Sequence, residues 1–465
     1  MGTNENFLPA FAITPIDGRN RHKVEPLAQY FSEFALDKYR IFVEIRYLEW
    51  LSVEGIIRKL RESEKSVLEK VWGDFSIEDF KRIHEIEKTT NHDLKAVEYW
   101  IREKVQKTSL MDLTEMIHFG LGSDDVNNLA FTLSLKDSLE KIIFPEIKKT
   151  IIILLEFAKK TKSFPILART HGQIASVTTI GKEIFVFAHR LTTEFLNLRS
   201  VQLTGKINGD VGNWHSHYLI FPKTDWIKKS DEFVKSLGLT PQLVTTQIET
   251  YDSWIRLFNS LRLINSILIG LCQDMWTYSS LGIFKLKVIE NEVGSSLMPH
   301  KVNPIYFEGA EGGLELGNSL LYFFTDKFSI NRLQRDFSDS TVRRNVGFVL
   351  SHCLLAYQSI QEGVNRVVVE REKMEEELIG HYEVLAEGIQ SYLRKKRFDR
   401  PYELLKKFTR GRSVDKKNMT EFIGNLPISL KDRNYLLGLT PASYTGLAEK
   451  VVDTYLRKDL AALQK

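Results

Sequence analysis

Apolar residues recur every three or four positions over most of this chain, and almost nowhere do they alternate with polar ones. From residue 30, Phe34, Tyr39, Phe42, Ile45 and Leu48 share one helical face, which predicts an amphipathic helix. The same period returns in Val126, Leu129, Leu133, Leu139, Ile143, Ile147, Ile151 and Leu154. Pro145 is expected to kink that long helix, because its nitrogen cannot donate to the preceding turn. It returns again in Ile180, Ile184, Phe187, Leu191, Phe195 and Leu198. The longest pattern is a heptad seam of Trp254, Leu257, Leu261, Ile264, Leu268, Leu271, Met275 and Tyr278. A helix of about 25 residues reaches nearly 40 Å, too long for one small domain to cover, so it must pack among other long helices or against other copies of the chain.

Two polar strings, around 294–304 and 331–345, interrupt the later helices, and from about residue 365 the helices become short and charged. This predicts an all-α protein of three helical domains: 1–111, a central long-helix bundle at 112–364, and 365–465. No strand is expected. The 64 basic and 60 acidic residues leave a net charge of +4, and no Lys/Arg run marks a nucleic-acid surface. Cys272 and Cys353 are far apart in apolar helical stretches, which fits buried reduced thiols in a cytoplasmic protein rather than a disulfide or zinc site. The N-terminus lacks a basic region followed by an apolar core, so no secretory signal is expected. Glu156 breaks the apolar stretch 151–158, well short of a membrane span.

Candidate chemistry gathers where polar turns meet helix starts. In GSSLMPHKVNP, residues 294–304, Asn303 is expected to cap a helix with Pro304 as its first residue. Free N–H groups at that end, together with Lys301, would hold a carboxylate beside the hydroxyls of Ser295 and Ser296. The plain alternative is a surface loop before a capped helix. In TTNHDLKAVEYW, residues 89–100, Asn91 or Asp93 reads as a cap beside His92. Gly122 and Ser123 precede the long helix, a second helix start carrying a hydroxyl. ARTHGQ, residues 168–173, is expected to be a third such junction, with Thr170 and His171. A structural histidine bonded to backbone competes there with a reactive one. His215 and His217 stand two apart with no further ligand in reach, so no metal is expected. In QRDFSDSTVRRN, residues 334–345, Arg335 and Arg344 flank Ser340 and Thr341, which suits either a phosphate site at a helix start or a solvated basic connector.

Together these strings resemble the three separated motifs of the fumarase/aspartase superfamily: GSDD at 122–125, THGQ at 170–173 and the 294–304 loop. TPIDGR at 14–19, TTNHDLKAVEYW, TTQIE at 245–249 and QRDFSDSTVRRN make nearly the whole chain similar to the bacterial adenylosuccinate lyase family. The resemblance implies β-elimination of fumarate from adenylosuccinate and from succinylaminoimidazole-carboxamide ribotide, without metal or organic cofactor. It implies Ser295 as the proton-abstracting base, with Ser296 its rival, and His171 as the general acid. It also implies Arg19, Arg335, Ser340, Thr341 and Arg344 near the ribotide phosphate. Around the rest of the substrate it implies Asn20, Asn91, His92, Asp93, Gly122, Ser123, Thr170, Gln247, Lys301, Val302 and Asn303. The family pattern further implies a homotetramer in which each site draws on three chains, with no nucleic-acid or membrane partner. Asn20, Gly122 and Gly309 depart from that pattern, which has tyrosine, threonine and asparagine there. A sister lyase acting on argininosuccinate or fumarase-type substrates, and a non-catalytic helical scaffold, are the competing readings.

Overall fold

A computed structural model describes residues 9–464, so the first eight residues of the expected N-terminal arm lie outside the described residues. Helix α1, Glu33–Val53, begins where the Ser32 hydroxyl accepts from Ala35 N at 3.1 Å, a normal N-cap. Helices α2, Ile77–Thr90, and α3, Asp93–Val105, follow. Then comes α4, Ser123–Ser138. The expected kink at Pro145 is found a turn earlier, as a π-helical segment at Leu139–Ile143 that leads into α5, Phe144–Thr161. Pro145 cannot donate to the carbonyl of Lys141, and a wider turn just ahead of it absorbs the missing bond.

The expectation of no strands is corrected at three small pairings. β1, Pro165–Thr170, and β2, Gln173–Thr179, form an antiparallel hairpin, and only then does α6, Ile180–Arg199, begin. ARTHGQ is therefore a hairpin tip and not a helix start. No period of two announced it: in β2 the alternate positions Gln173 and Ala175 are exposed while Val177 and Thr179 are buried, so the apolar pattern of so short a strand does not stand out from the longer helices. β3, Thr204–Gly205, lies parallel to β4, Thr240–Pro241. Next is α7, Asp252–Ser280, 29 residues long, with Trp254, Leu257, Leu261, Ile264, Leu268, Leu271 and Met275 buried as the seam requires. β5, Phe284–Leu286, precedes α8, Ile305–Phe328, the six-residue α9, Ser338–Arg343, and α10, Val346–Arg366. β6, Val367–Val369, pairs antiparallel with β5. Short helices from α11, Arg371–Ile379, to a last one at Ala448–Gln464 complete the chain. With 67% of the residues helical, the protein is an all-α fold in class.

The described chain divides into two compact units. The first comprises the described residues up to Glu146, Asn197–Asn265 and Gly313–Leu355, and the second Ile147–Leu196, Ser266–Gly312 and the described residues from Ala356 onward. In the first, α1 packs on α4, and Tyr251, Trp254, Phe258, Phe324 and Phe328 form an aromatic cluster. Asn265 Nδ2 donates to Asn318 Oδ1 at 3.0 Å and to Cys353 Sγ at 3.4 Å, joining α7 to α8 and α10. In the second, Gln273 and Trp276 of α7 donate to Glu311 and Glu308 of α8, at 3.0 and 3.1 Å. A satellite core of Leu167, Val177, Leu378, Tyr382, Leu385, Ile389 and Leu393 binds the hairpin to the short C-terminal helices. Cys272 and Cys353 are both buried, and neither is in a disulfide. α7 also has the length and apolarity of a membrane span, unlike the shorter apolar stretch at 151–158, but half of its most apolar window is buried inside the protein.

His217, in the short helix His215–Ile220 of the first unit, is 2% exposed, and its Nε2 lies 2.8 Å from the Tyr47 hydroxyl. Burial lowers its pKa to about 4. The unfolded chain therefore binds more protons between pH 6.5 and 4, and the stability linked to neutral His217 is lost as pH falls through that window. Wild type is expected to lose about 2 kcal/mol more than His217→Gln between pH 7 and pH 5. Urea unfolding of both proteins at both pH values checks this, and equal losses would mean that His217 titrates normally.

Candidate active site

In the first unit, the junction of α2 and α3 is built around Asp93. Asn91 is the left-handed C-cap of α2, with φ 49°. His92, and neither Asn91 nor Asp93, caps α3: its Nδ1 accepts from Lys95 N at 3.2 Å. This frees Asp93, the first helical residue, to face two arginines. Its Oδ2 accepts from Arg40 Nη2 at 2.5 Å and from Arg344 Nη2 at 2.9 Å, and its Oδ1 accepts from Leu94 N at 2.8 Å. Burial opposes its ionisation, but the Arg40 charge and hydrogen bond prevail and hold its pKa at about 2. Arg40 is 2% exposed and also bonds Asn127 Oδ1 at 2.8 Å and Asp37 Oδ1 at 3.1 Å. It thus ties α3 to α4. Arg40 is a site residue not expected from the sequence, although Asp37, Arg40 and Glu44 sit at helical spacing on the buried side of α1, where unpaired charges would be costly.

The start of α4 carries two buried carboxylates, each matched to a cation. Asp124 Oδ1 accepts from Arg343 Nη1 at 3.0 Å and pairs with Arg335 Nη1 at 3.4 Å. Arg343 also donates to the Tyr251 hydroxyl at 2.7 Å, which in turn donates to Asp339 Oδ2 at 2.7 Å. Asp125 closes on Gly122 N at 2.8 Å and pairs with the buried Lys206 Nζ at 2.9 Å. Ser123, between Gly122 and these acids, is half-buried. Gln247 is half-buried, and its N–H donates to Gln334 O at 3.3 Å, joining its loop to the arginine string.

That string differs from expectation in two respects. α9 starts at Ser338, so Ser340 and Thr341 are its third and fourth residues, and Ser340 is buried while Thr341 is exposed. Arg344 Nη1 donates to Glu33 Oε2 at 2.5 Å in addition to its bond to Asp93, so its charge is already shared by two carboxylates. Asp93 and Arg344 form one bonded group with Arg40, and Asp124 and Arg335 form another with Arg343; Arg40 links the first group to α4 only through Asn127, and Ser123 and Gln247 adjoin the second in the chain or through backbone. Arg19 is exposed after a turn closed by Gly18 N to Thr14 O at 3.1 Å, and Asn20 N donates to Pro15 O at 3.0 Å. Among the described residues, neither side chain bonds to the cluster. Asn20 contributes no side-chain cap to the helix it precedes.

The remaining residues belong to the second unit. Thr170 and Gln173 face each other across a two-residue turn formed by His171, φ 55°, and Gly172, φ 73°. Two left-handed residues in succession make the tight primed turn whose twist suits a hairpin. The hairpin base is fixed by Leu167 and Val177 in the satellite core and by Arg169 Nη2 to Glu377 Oε2 at 2.9 Å. Its tip leaves Thr170 and His171 exposed.

The 294–304 loop is closed on itself. A Cβ on Gly294 would lie 2.2 Å from the Lys301 carbonyl oxygen, so only glycine permits that approach. Asn303 Nδ2 donates to Gly294 O at 3.2 Å instead of capping α8, and α8 begins at Ile305 with Pro304 in the cap position. A side chain committed to the loop cannot also bond the helix start. Inside the loop the Ser295 Oγ accepts from Met298 N at 3.1 Å and Leu297 N at 3.4 Å. Ser295 is half-buried, while Ser296, Lys301 and Val302 are exposed. Two N–H donors on one hydroxyl oxygen favour its deprotonated form.

Solved structures share this fold. Solved structures of a fumarate lyase from Mesorhizobium sp. BNC1 (TM-score 0.75, 17% identity, 93% of this chain and 97% of that one) and of a 3-carboxy-cis,cis-muconate lactonizing enzyme from Pseudomonas putida (0.73, 19%, 94% and 97%) share the architecture. Residues 18–315 match the family described as Lyase, so the chain is a C–N lyase of the fumarase/aspartase superfamily. Residues 331–445 match the family described as Adenylosuccinate lyase C-terminal. The chain is 43% identical over 446 residues to adenylosuccinate lyase of Haemophilus influenzae, covering 95% of this chain and 98% of that one. It is 43% identical over 449 residues to that of Dictyostelium discoideum, covering 94% and 96%. This protein belongs to the adenylosuccinate lyase family.

Proposed function

We propose that the chain cleaves adenylosuccinate to AMP and fumarate, and the matching imidazole-carboxamide ribotide to AICAR, as a cytoplasmic enzyme of purine biosynthesis. The observation that carries the mechanism is the Ser295 hydroxyl held by two backbone N–H groups. Such an oxygen, once deprotonated, removes a proton from the succinyl carbon next to a carboxylate. The carbanion charge spreads into that carboxylate, which Lys301, Asn303 and the start of α8 meet with positive charge and donors. The C–N bond then breaks, fumarate leaves, and His171 on its exposed turn protonates the departing nitrogen. Arg19, Arg335, Ser340, Thr341 and Arg344 receive the phosphate. Asn20, Asn91, His92, Asp93, Gly122, Ser123, Thr170, Gln247 and Val302 line the remainder. Loss of adenylosuccinate absorbance on incubation with purified protein tests the activity directly.

We further propose a homotetramer with shared sites. The support is that the motifs are far apart in sequence and that the long helices expose large apolar residues, among them Leu263, Trp276, Leu316, Tyr322 and Phe323. Such residues on helices this long suit packing between copies. Mixing His171→Ala with Ser295→Ala protein under subunit exchange is expected to restore part of the activity that each lacks. A fully active monomer by light scattering would end the idea.

A further inference from the structure

The gap left by Gly122 at the start of α4 is filled from another segment. A Cβ on Gly122 would lie 2.5 Å from Asp210 Oδ1 and 3.4 Å from Asp210 Cα. Asp210 cannot easily retreat, because the residues before it are locked to α4. Lys206 Nζ pairs with Asp125 Oδ1 at 2.9 Å, Asn208 N donates to it at 3.0 Å, and Gly209 N donates to Asp125 Oδ2 at 3.0 Å. Asn128 takes the Lys206 N–H on its Oδ1 and gives its Nδ2 to the Lys206 carbonyl, both at 2.9 Å. On the other side, a Cβ on Gly212 would lie 2.3 Å from the Thr245 carbonyl oxygen, so the segment is clamped against the loop that carries Gln247.

Three carboxylates therefore stand at this helix start, and they are not equivalent. Asp124 is matched by Arg343 and Asp125 by Lys206, all four deeply buried. Asp210 is exposed, and among the described residues its carboxylate makes no hydrogen bond or ion pair. It is the uncompensated negative charge held against Gly122, the residue that precedes Ser123 at the start of α4. We propose that Asp210 is a specificity-determining residue of the lyase: its charge, held in the space that a side chain at 122 would take, weakens the hold of this helix start on ligand carboxylates and so sets how readily the dicarboxylate product leaves. The inference rests on the assignment of Ser123 to the substrate. With the phosphate assigned to the arginine string, the anionic groups left for α4 are the carboxylates of the succinyl arm. A fixed charge of like sign within a few ångströms of them opposes binding, and salt screens that opposition because the site is open to solvent.

The test compares product inhibition by fumarate and by AMP in wild type, Asp210→Asn and Ser123→Ala. Asp210→Asn keeps the shape and removes the charge. It is expected to tighten fumarate inhibition about fivefold to tenfold at low ionic strength and to leave AMP inhibition within about twofold, and the gain should shrink as salt is added. Unchanged fumarate inhibition in Asp210→Asn, or equal changes for fumarate and AMP, would overturn the inference. Ser123→Ala separates the two assignments. If it weakens fumarate inhibition while Asp210→Asn changes nothing, only the role of Asp210 is wrong. If neither variant alters fumarate inhibition, the start of α4 does not bind the succinyl arm at all, and both assignments fall.

Discussion

Ser295→Ala is expected to lower turnover by at least about two orders of magnitude while KM stays within a few fold, the pattern of a lost proton-transfer group rather than a lost contact. The reason is local. A serine hydroxyl is a weak base, and the loop answers this by aiming the N–H groups of Leu297 and Met298 at Ser295 Oγ, 3.4 and 3.1 Å away. The exposed Ser296 has no such bonds among the described residues, so Ser296→Ala should retain most of its turnover. Steady-state rates with adenylosuccinate for the two variants decide the matter. A crippled Ser296→Ala beside an active Ser295→Ala would reverse the assignment.

The second large effect concerns the phosphate. Each charge-assisted contact to it should contribute roughly 1.5 to 3 kcal/mol, so wild-type enzyme is expected to cleave succinyladenosine, which lacks the phosphate, at least about a hundredfold less efficiently than adenylosuccinate. Arg335→Ala should lower kcat/KM for adenylosuccinate by roughly tenfold to a hundredfold and leave succinyladenosine nearly unaffected, narrowing the gap. Arg335 suits this role better than Arg343, whose guanidinium is buried and committed to Asp124 and Tyr251. Arg344 is already divided between Glu33 and Asp93, so a phosphate there must compete with two carboxylates. Similar efficiencies for the two substrates in wild type would make the string a basic connector only.

Much of the fold was legible because helices announce themselves over long windows. The seam of α7 and the long faces of α4, α5 and α6 follow from apolar spacing alone, since a repeat sustained over many turns can satisfy only one period. The family was legible for a different reason: strings such as TTNHDLKAVEYW and QRDFSDSTVRRN are long enough to be specific.

What the sequence left open were features decided by bonds between distant segments. A two-residue turn with two left-handed residues places His171 at a hairpin tip, and its two short strands carry no alternation of apolar and polar residues that would mark them. Asn303 could cap a helix or close a loop, and the close approach of Gly294 to Lys301 decided for the loop. His92 took the cap that Asn91 or Asp93 had been expected to supply, because Arg40 and Arg344, which lie far from Asp93 in the chain, claim the Asp93 carboxylate. Gly122 read from sequence alone is a lost side chain; only the folding of residues 206–210 onto Asp125 shows that Asp210 fills its place. Local periodicity thus determined where helices run and which strings carry chemistry. The distant partners of each charge were decided by tertiary structure, because electrostatic pairing depends on distance in space, which spacing along the chain fixes only within a helical turn.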